Sequence, residues 1–227
     1  MTDSLGTLLF STDDITLRSL SVSQMENNVY LLTNIRSGEQ IMIDAAADAE
    51  RLCSFARDVA CHDVLDGGGS ARITTIFTTH GHWDHIRALE AVAEASGART
   101  YAGAADIQAI ESQENYRVHH ELHGQERFEY SSYRLETISL VGHTPGSIAY
   151  VLTAEGLPTV IFSGDSLFPG GVGKTDSPED FCSLFHDVTT KLFDVFSDDT
   201  VVLPGHGKGT TLGQERPSLE QWKERGW

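Results

Sequence analysis

The chain has 227 residues, enough for one domain with a sizeable core, and 40% of them are hydrophobic; that proportion suits a globular protein and excludes a disordered one. Its formal charge is −17, from 33 acidic and 16 basic side chains. A field of that sign repels phosphate backbones and anionic membranes, which argues against nucleic acid or a membrane as partner. Small anionic substrates stay open, because a local Lys or Arg can override the global field, and bound cations would offset part of the excess.

Three cysteines, Cys53, Cys61 and Cys182, give an odd count without a Cys-x-x-Cys pair. A disulfide framework is not expected, and a reducing compartment fits. Cys182 follows Phe181 in an amphipathic pattern and reads as core. The first residues, MTDSLGTLLFSTDDITL, lack a basic segment followed by a long apolar run, and no stretch has the length needed to cross a membrane. A soluble, cytoplasmic protein is expected. With no low-complexity linker and no repeat of solenoid period, residues 1–227 read as a single domain.

In chain order, Ile15–Leu20, Val29–Thr33 and Gln40–Ile43 are β-branched or apolar runs separated by Asn, Gly and Ser turns, and read as strands. Ala45–Val59 reads as a helix. Asp66-Gly67-Gly68-Gly69-Ser70 is a turn or surface loop. Ile73–Thr78 is a short, nearly continuous run of β-favouring residues, as in a buried strand. Ile86–Ala95 has helical periodicity with Gly97 as its C-cap. A short strand at Thr100–Ala102, a short helix at Ala104–Ile110 and an irregular loop over Glu111–Gln125 follow. Further strands are expected at Arg127–Tyr130, Leu135–Val141, Ile148–Thr153, Thr159–Ser163 and Thr200–Leu203. Glu179–Phe196 reads as a long helix, and Pro217–Glu224 as a short one with Pro in its first turn. Two sheets packed face to face with helices outside would satisfy this order.

The most informative stretch is Thr79-His80-Gly81-His82-Trp83-Asp84-His85, set between a strand and a helix. It offers four potential metal ligands on one loop at a strand end, where function concentrates. In an extended segment His80 and His82 can point to the same side and bind one ion, while Asp84 and His85 turn towards a neighbouring position. Imidazole nitrogen and carboxylate oxygen suit zinc, and also iron or manganese. Three single candidates follow, each after an apolar strand and each flanked by Gly: His143 in Val141-Gly142-His143-Thr144-Pro145-Gly146-Ser147, Asp165 in Ser163-Gly164-Asp165-Ser166, and His206 in Pro204-Gly205-His206-Gly207. Taken singly, each is more often a structural hydrogen-bonding residue than a ligand. Seven in this order are not a coincidence.

The order His-x-His-x-Asp-His, then His, then Asp, then His resembles the metallo-β-lactamase superfamily, from about Asn27 to His206. The resemblance implies a layered α/β fold, an αββα sandwich, and two divalent ions, zinc first with iron or manganese as alternatives. Carried over by position, His80, His82 and His143 would bind one ion, Asp84, His85 and His206 the other, and Asp165 would bridge them. Asp44, in Ile41-Met42-Ile43-Asp44, matches a family aspartate that orients a ligand from behind. Asp84 and Asp165 would be the catalytic carboxylates, the first orienting and the second spacing a metal-bridged hydroxide that attacks an ester-like bond. His62, His119, His120, His123 and His186 match no ligand position and read as solvated or structural; His120 and His123 are minor candidates for the site mouth.

The stretch Gly164-Asp165-Ser166-Leu167-Phe168-Pro169-Gly170-Gly171-Val172-Gly173-Lys174-Thr175-Asp176 resembles the glyoxalase II branch, thioesterases acting on S-acyl-glutathione. In that branch a basic residue at the position of Lys174 contacts the carboxylate of the thiol carrier. A departure lies after His206, where 21 residues remain and the helical segment of the larger glyoxalase II enzymes has no counterpart. Mononuclear iron persulfide dioxygenases share much of the motif and are the first rival; there the ligands would be His80, His143 and Asp165. A lactonase is a further alternative. A nuclease is disfavoured by the charge, flavodiiron chemistry by His at position 82, and a non-enzymatic binding role by the completeness of the ligand set. The sequence leaves the oligomeric state open.

Overall fold

The computed structural model describes residues 4–65, 71–114 and 116–226. The backbone forms two compact units: Met1–Thr78 with His82–Tyr101 and Ala109–His120, and Thr79–Gly81 with Ala102–Gln108 and Glu121–Trp227. The expected loop Asp66–Ser70 lies outside the described residues. Among those described, no helix is long and apolar enough to cross a membrane.

A seven-stranded sheet runs in sequence order: β1 (Thr7–Ser11), β2 (Ile15–Val22), β3 (Asn27–Asn34), β4 (Glu39–Ile43), β5 (Arg72–Phe77), β6 (Arg99–Gly103) and β7 (His120–Leu122). The first four pair antiparallel through short turns, while β4–β5 and β5–β6 are parallel. Parallel neighbours need a crossover, supplied by α1 (Ala49–Asp63) and α2 (Leu89–Ser96). Helix α1 buries Leu52, Phe55, Ala56, Val59 and Ala60, the spacing of a single apolar stripe. Helix α2 buries Leu89, Val92 and Ala93 and stops at Gly97, whose φ of 69° is the left-handed C-cap the sequence implied. The end of α1 is tied to the sheet by Arg18, whose Nε and Nη2 donate to the two oxygens of Asp63 at 2.7 and 2.9 Å. Both side chains are buried, so removing one partner would cost about 3–5 kcal/mol.

The second unit holds a six-stranded sheet. Its strands are β8 (Arg127–Glu129), β9 (Tyr133–Ser139), β10 (Ile148–Ala154), β11 (Val160–Gly164), β14 (Val201–Pro204) and β15 (Thr210–Thr211), in the spatial order β15-β14-β11-β10-β9-β8. All pairs are antiparallel except β11–β14. The small hairpin β12 (Leu167–Phe168) and β13 (Gly171–Val172) and helix α4 (Pro178–Val188) lie within that crossover. Ser177 caps α4, its Oγ accepting from Asp180 N at 3.1 Å, with Pro178 at the first helical position. Leu184, Val188 and Leu192 share a core with Ala149, Val151, Ile161, Val202 and Trp222. Helices α5 (Leu212–Glu215) and α6 (Leu219–Arg225) end the chain's regular structure.

Several boundaries differ from the sequence expectation. Helix α1 begins at Ala49 rather than Ala45, because Asp44 and Asp48 both sit at φ 59° and hold Ala45–Ala47 in a buried non-helical turn. The helix expected from Ile86 begins at Leu89. The one expected at Ala104–Ile110 is α3, Ile107–Glu114. The loop expected over Glu111–Gln125 contains the end of α3 and all of β7. The long helix expected at Glu179–Phe196 is α4 followed by a π-helical turn, Thr189–Phe193. The last helix is α6, preceded by a 3₁₀ turn at Arg216–Ser218. Cys182 is exposed, not core: it lies one position past Phe181, about 100° round the helix from the stripe formed by Phe181, Leu184 and Val188.

Candidate metal centre

Strand β5 ends at Phe77 and feeds the loop that carries the first four candidates. In the first unit, Asp84 and His85 occupy a 3₁₀ turn, Trp83–His85, and both are buried. Asp44 Oδ2 lies 2.9 Å from His85 Nδ1. An ionised carboxylate only accepts, so Nδ1 carries a proton, and in the neutral imidazole Nε2 is then the lone-pair nitrogen. Asp44 itself is fixed by its N–H, which donates to Phe77 O at 2.9 Å. His85 Nε2 lies 3.7 Å from Asp84 Oδ2. That same oxygen accepts from Asn27 Nδ2 at 2.9 Å, and Asn27 Oδ1 accepts from Ser23 Oγ at 2.8 Å. His82 is exposed, as is its neighbour Trp83, whose ring carries the Arg87 guanidinium at 4.4 Å.

In the second unit, four candidates meet at one edge of the six-stranded sheet. Strands β11 and β14 are parallel neighbours, so Asp165 and His206 leave the same edge; Gly205 N donates to Gly164 O at 2.9 Å. Strand β10 is antiparallel to β11, which puts its beginning, and the β9–β10 turn with His143, at that edge too. Thr79 O accepts from Ile148 N at 2.8 Å and holds His80 beside them. The rings of His80 and His143 meet edge to face with centroids 4.8 Å apart. His143 Nδ1 donates to the carbonyl of Lys174 at 2.7 Å, which again leaves Nε2 as the lone-pair nitrogen. His143 Nε2 and His206 Nε2 approach the same atom, Asp165 Oδ2, at 3.8 and 3.6 Å. Glycine is needed at two points of this edge: a Cβ on Gly173 would sit 1.7 Å from Asp165 O, and Gly164, at φ +51°, would put one 2.6 Å from Thr79 Oγ1.

These spacings decide what the residues can hold. At 3.6–3.8 Å the imidazole–carboxylate pairs are too long for hydrogen bonds. They match two ligands on one ion, which at metal–ligand distances of about 2.0–2.2 Å lie about 3.4 Å apart in a tetrahedron and nearer 4 Å at wider angles. Nε2 and carboxylate oxygen are donors that zinc, iron and manganese accept. The residues of each unit therefore fit divalent cations.

Lys174 is exposed. It bounds a pocket of about 660 Å³ formed by Phe168–Lys174 together with Arg225 and Gly226. Arg225 Nη2 donates to Gly170 O at 3.3 Å. Lys174 and Arg225 are the two charged residues lining the pocket, and both are cationic, in a chain whose net charge is strongly negative.

A metallo-beta-lactamase superfamily profile matches residues 23–206. The chain belongs to that superfamily. Hydroxyacylglutathione hydrolase GloC of Haemophilus influenzae is 27% identical, over 88% of this chain and 94% of its own length. Among solved structures, the BLEG-1 B3 metallo-beta-lactamase superposes with a TM-score of 0.71 at 24% identity, covering 88% of this chain and 96% of its own. TTHA1623, solved in a di-iron-bound form, gives 0.65 at 26% identity, covering 87% and 96%. The layered α/β fold expected from the sequence is the fold of the metallo-β-lactamase superfamily observed here.

Two residues that hydrogen-bond the candidate ligands or their loops carried no sequence signal. Asn27 holds Asp84 across 57 positions of chain. Asp106 joins the loops of His80 and His143 through donors 25 to 40 positions away. Of the histidines outside the motif, His119 Nδ1 accepts from Thr100 N at 3.1 Å, and His62 Nδ1 pairs with Asp63 at 2.7 Å. His120 is exposed and stacks on Tyr101 at 4.6 Å. His123 and His186 are exposed.

Proposed function

We propose that this chain is a metal-dependent hydrolase that cleaves the thioester of a small anionic thiol. In this reading His80, His82 and His143 hold one divalent ion, Asp84, His85 and His206 a second, and Asp165 is shared. The observation that carries it is the set of imidazole–carboxylate approaches at 3.6–3.8 Å, with the Nδ1 atoms of His85 and His143 engaged by Asp44 and the Lys174 carbonyl. Bound divalent ions lower the pKa of water towards neutrality and polarise a carbonyl oxygen.

The chain's own residues supply the rest. Asp84, its Oδ2 held by Asn27, accepts a hydrogen bond from the attacking water and orients it. Water oxygen bonds to the thioester carbonyl carbon, the carbon–sulfur bond breaks, and the sulfur departs as a thiolate that takes up a proton. No Ser or Cys nucleophile is needed. The ammonium of Lys174 and the guanidinium of Arg225 suit a carboxylate on the departing thiol, and the likeness to a hydroxyacylglutathione hydrolase supports that choice of carrier.

The test is metal content of protein purified without added metal, measured alongside hydrolysis of a hydroxyacylglutathione and persulfide-dependent oxygen uptake on the same sample. About two zinc ions per chain with thioester turnover is the expected result. One iron per chain with oxygen uptake and no hydrolysis would overturn it. Lys174→Ala should raise KM about tenfold for carboxylate-bearing thioesters, the equivalent of about 1.4 kcal/mol, and leave small neutral esters unchanged. An equal effect on both would remove Lys174 from the substrate site.

A further inference from the structure

Asp106 follows β6, in Gly103-Ala104-Ala105-Asp106, and is almost fully buried at 3% exposure. A carboxylate in such a place needs its acceptor sites filled. Here they are filled by two loops. Oδ2 accepts from Gly81 N at 2.8 Å and from Thr144 Oγ1 at 2.6 Å, and Oδ1 accepts from Gly146 N at 2.7 Å. Gly81 is the residue after His80, and Thr144 is the residue after His143. One side chain thus fastens together the two loops whose imidazoles meet at 4.8 Å.

The packing around it leaves no slack. A Cβ on Gly146 would lie 2.4 Å from Asp106 N and 2.7 Å from its Cγ, and one on Gly103 would lie 1.9 Å from Gly146 O. Gly81 faces Asp106 with its Cβ position 3.2 Å away. The same Thr144 Oγ1 also lies 2.6 Å from Ser147 Oγ. The chemistry of the three bonds selects the residue type. Each carboxylate oxygen takes a backbone N–H, one from each loop. Asparagine has the same shape but one acceptor oxygen, so whichever way its amide turns, an NH2 confronts the N–H of Gly81 or of Gly146.

We infer that Asp106 is a positioning residue for the metal centre: it sets the spacing of His80 and His143 and thereby the affinity for the ion they share. It touches neither substrate nor metal. The inference rests on the metal-binding reading above. Outer partners that orient ligands typically contribute 10–100-fold in metal affinity.

The experiment is a zinc titration of the full chain, stripped of metal, in competition with a chromophoric chelator, with thermal unfolding of the metal-free proteins run in parallel. Asp106→Asn should weaken the tighter zinc site by about 10–100-fold. Thr144→Val removes one of the three bonds to Asp106, together with the Ser147 contact, and keeps the carboxylate, so it should weaken zinc by a smaller factor with a modest loss of metal-free Tm. If Asp106→Asn fails to fold, Thr144→Val decides alone. Wild-type zinc affinity in the folded variants, with only Tm reduced, would show a purely structural side chain and overturn the inference. Absence of zinc binding by the wild-type chain would instead sink the metal-binding reading itself.

Discussion

The two units present their candidate ligands in opposite ways. In the first, His82, Asp84 and His85 lie within four residues, and a single 3₁₀ turn places the last two. Their support comes from behind, from Asp44 and Asn27. In the second, His80, His143, Asp165 and His206 come from four places in the chain and meet because of how strands pair. A turn delivers the first set; a topology delivers the second. A local change should therefore disturb the first set locally, while the second depends on parallel pairing, on glycines that allow close approach, and on Asp106.

Asp165→Ala should show the largest effect, because Asp165 Oδ2 is the atom that both His143 and His206 approach. Turnover should fall by well over about a hundredfold, beyond the cost of losing an outer partner, while far-UV circular dichroism stays unchanged. His82→Ala should also abolish turnover without unfolding, since its side chain is exposed and buries no core. A variant of either kind that keeps near-normal kcat with reduced metal would break the two-ion mechanism.

Much of this was legible because the candidate ligands sit on loops that follow apolar strands, and apolar strands are easy to read. Ile148–Thr153 and Thr159–Ser163 fall within a residue or so of β10 and β11, so the end of the His143 loop and the start of the Asp165 loop are placed closely, while β9 ends at Ser139, two residues before the expected Val141. What failed had a physical cause in each case. Ala45–Ala47 carries helix-favouring residues, yet left-handed backbone at Asp44 and Asp48 keeps it out of α1. Strand β7 is three residues inside a polar stretch, too short for alternation to show. Beside Phe181 in sequence, Cys182 reads as core, but the 3.6-residue period turns it outward. Asp106 and Asn27 are single polar residues whose partners are far away in sequence, and no local pattern marks such a residue before the fold brings its partners to it.

A pair of glycines sharpens the contrast between units. Both Gly164 and Gly97 have positive φ, at 51° and 69°. A Cβ on Gly97 meets nothing within 4 Å, whereas one on Gly164 would press on the Thr79 side chain at 2.6 Å. Gly97→Ala should cost only the left-handed backbone penalty, about 1–2 kcal/mol. Gly164→Ala adds overpacking and should cost about 2–4 kcal/mol. It should also lower metal content, because it displaces the loop that leads to His80. Equal Tm losses with unaltered metal in both variants would show that the sheet edge tolerates movement.

The smallest expected effect concerns pH. Burial pushes Glu126 up, but hydrogen bonds from Thr137 Oγ1 and from the backbone N–H groups of His123 and Gln125 outweigh it and hold the carboxyl at about 2. Because the folded value lies below the ordinary one of 4.5, the ionised group favours the folded state above pH 4.5. That contribution is lost as pH falls from there towards about 2. In the first unit Asp63 is likewise held low: burial opposes ionisation, and Arg18, His62 and Thr16 overcome it. The two differ in their donors, a buried guanidinium for Asp63 and neutral groups at a partly exposed turn for Glu126. Glu126→Gln should therefore flatten the acid limb of a Tm-against-pH curve only slightly, whereas Asp63→Asn should lower Tm throughout and leave Arg18 buried without its carboxylate. A larger acid effect from Glu126→Gln than from Asp63→Asn would mean that the β7–β8 turn, rather than the α1 anchor, governs acid unfolding, and would reverse the order of importance assigned to the two units.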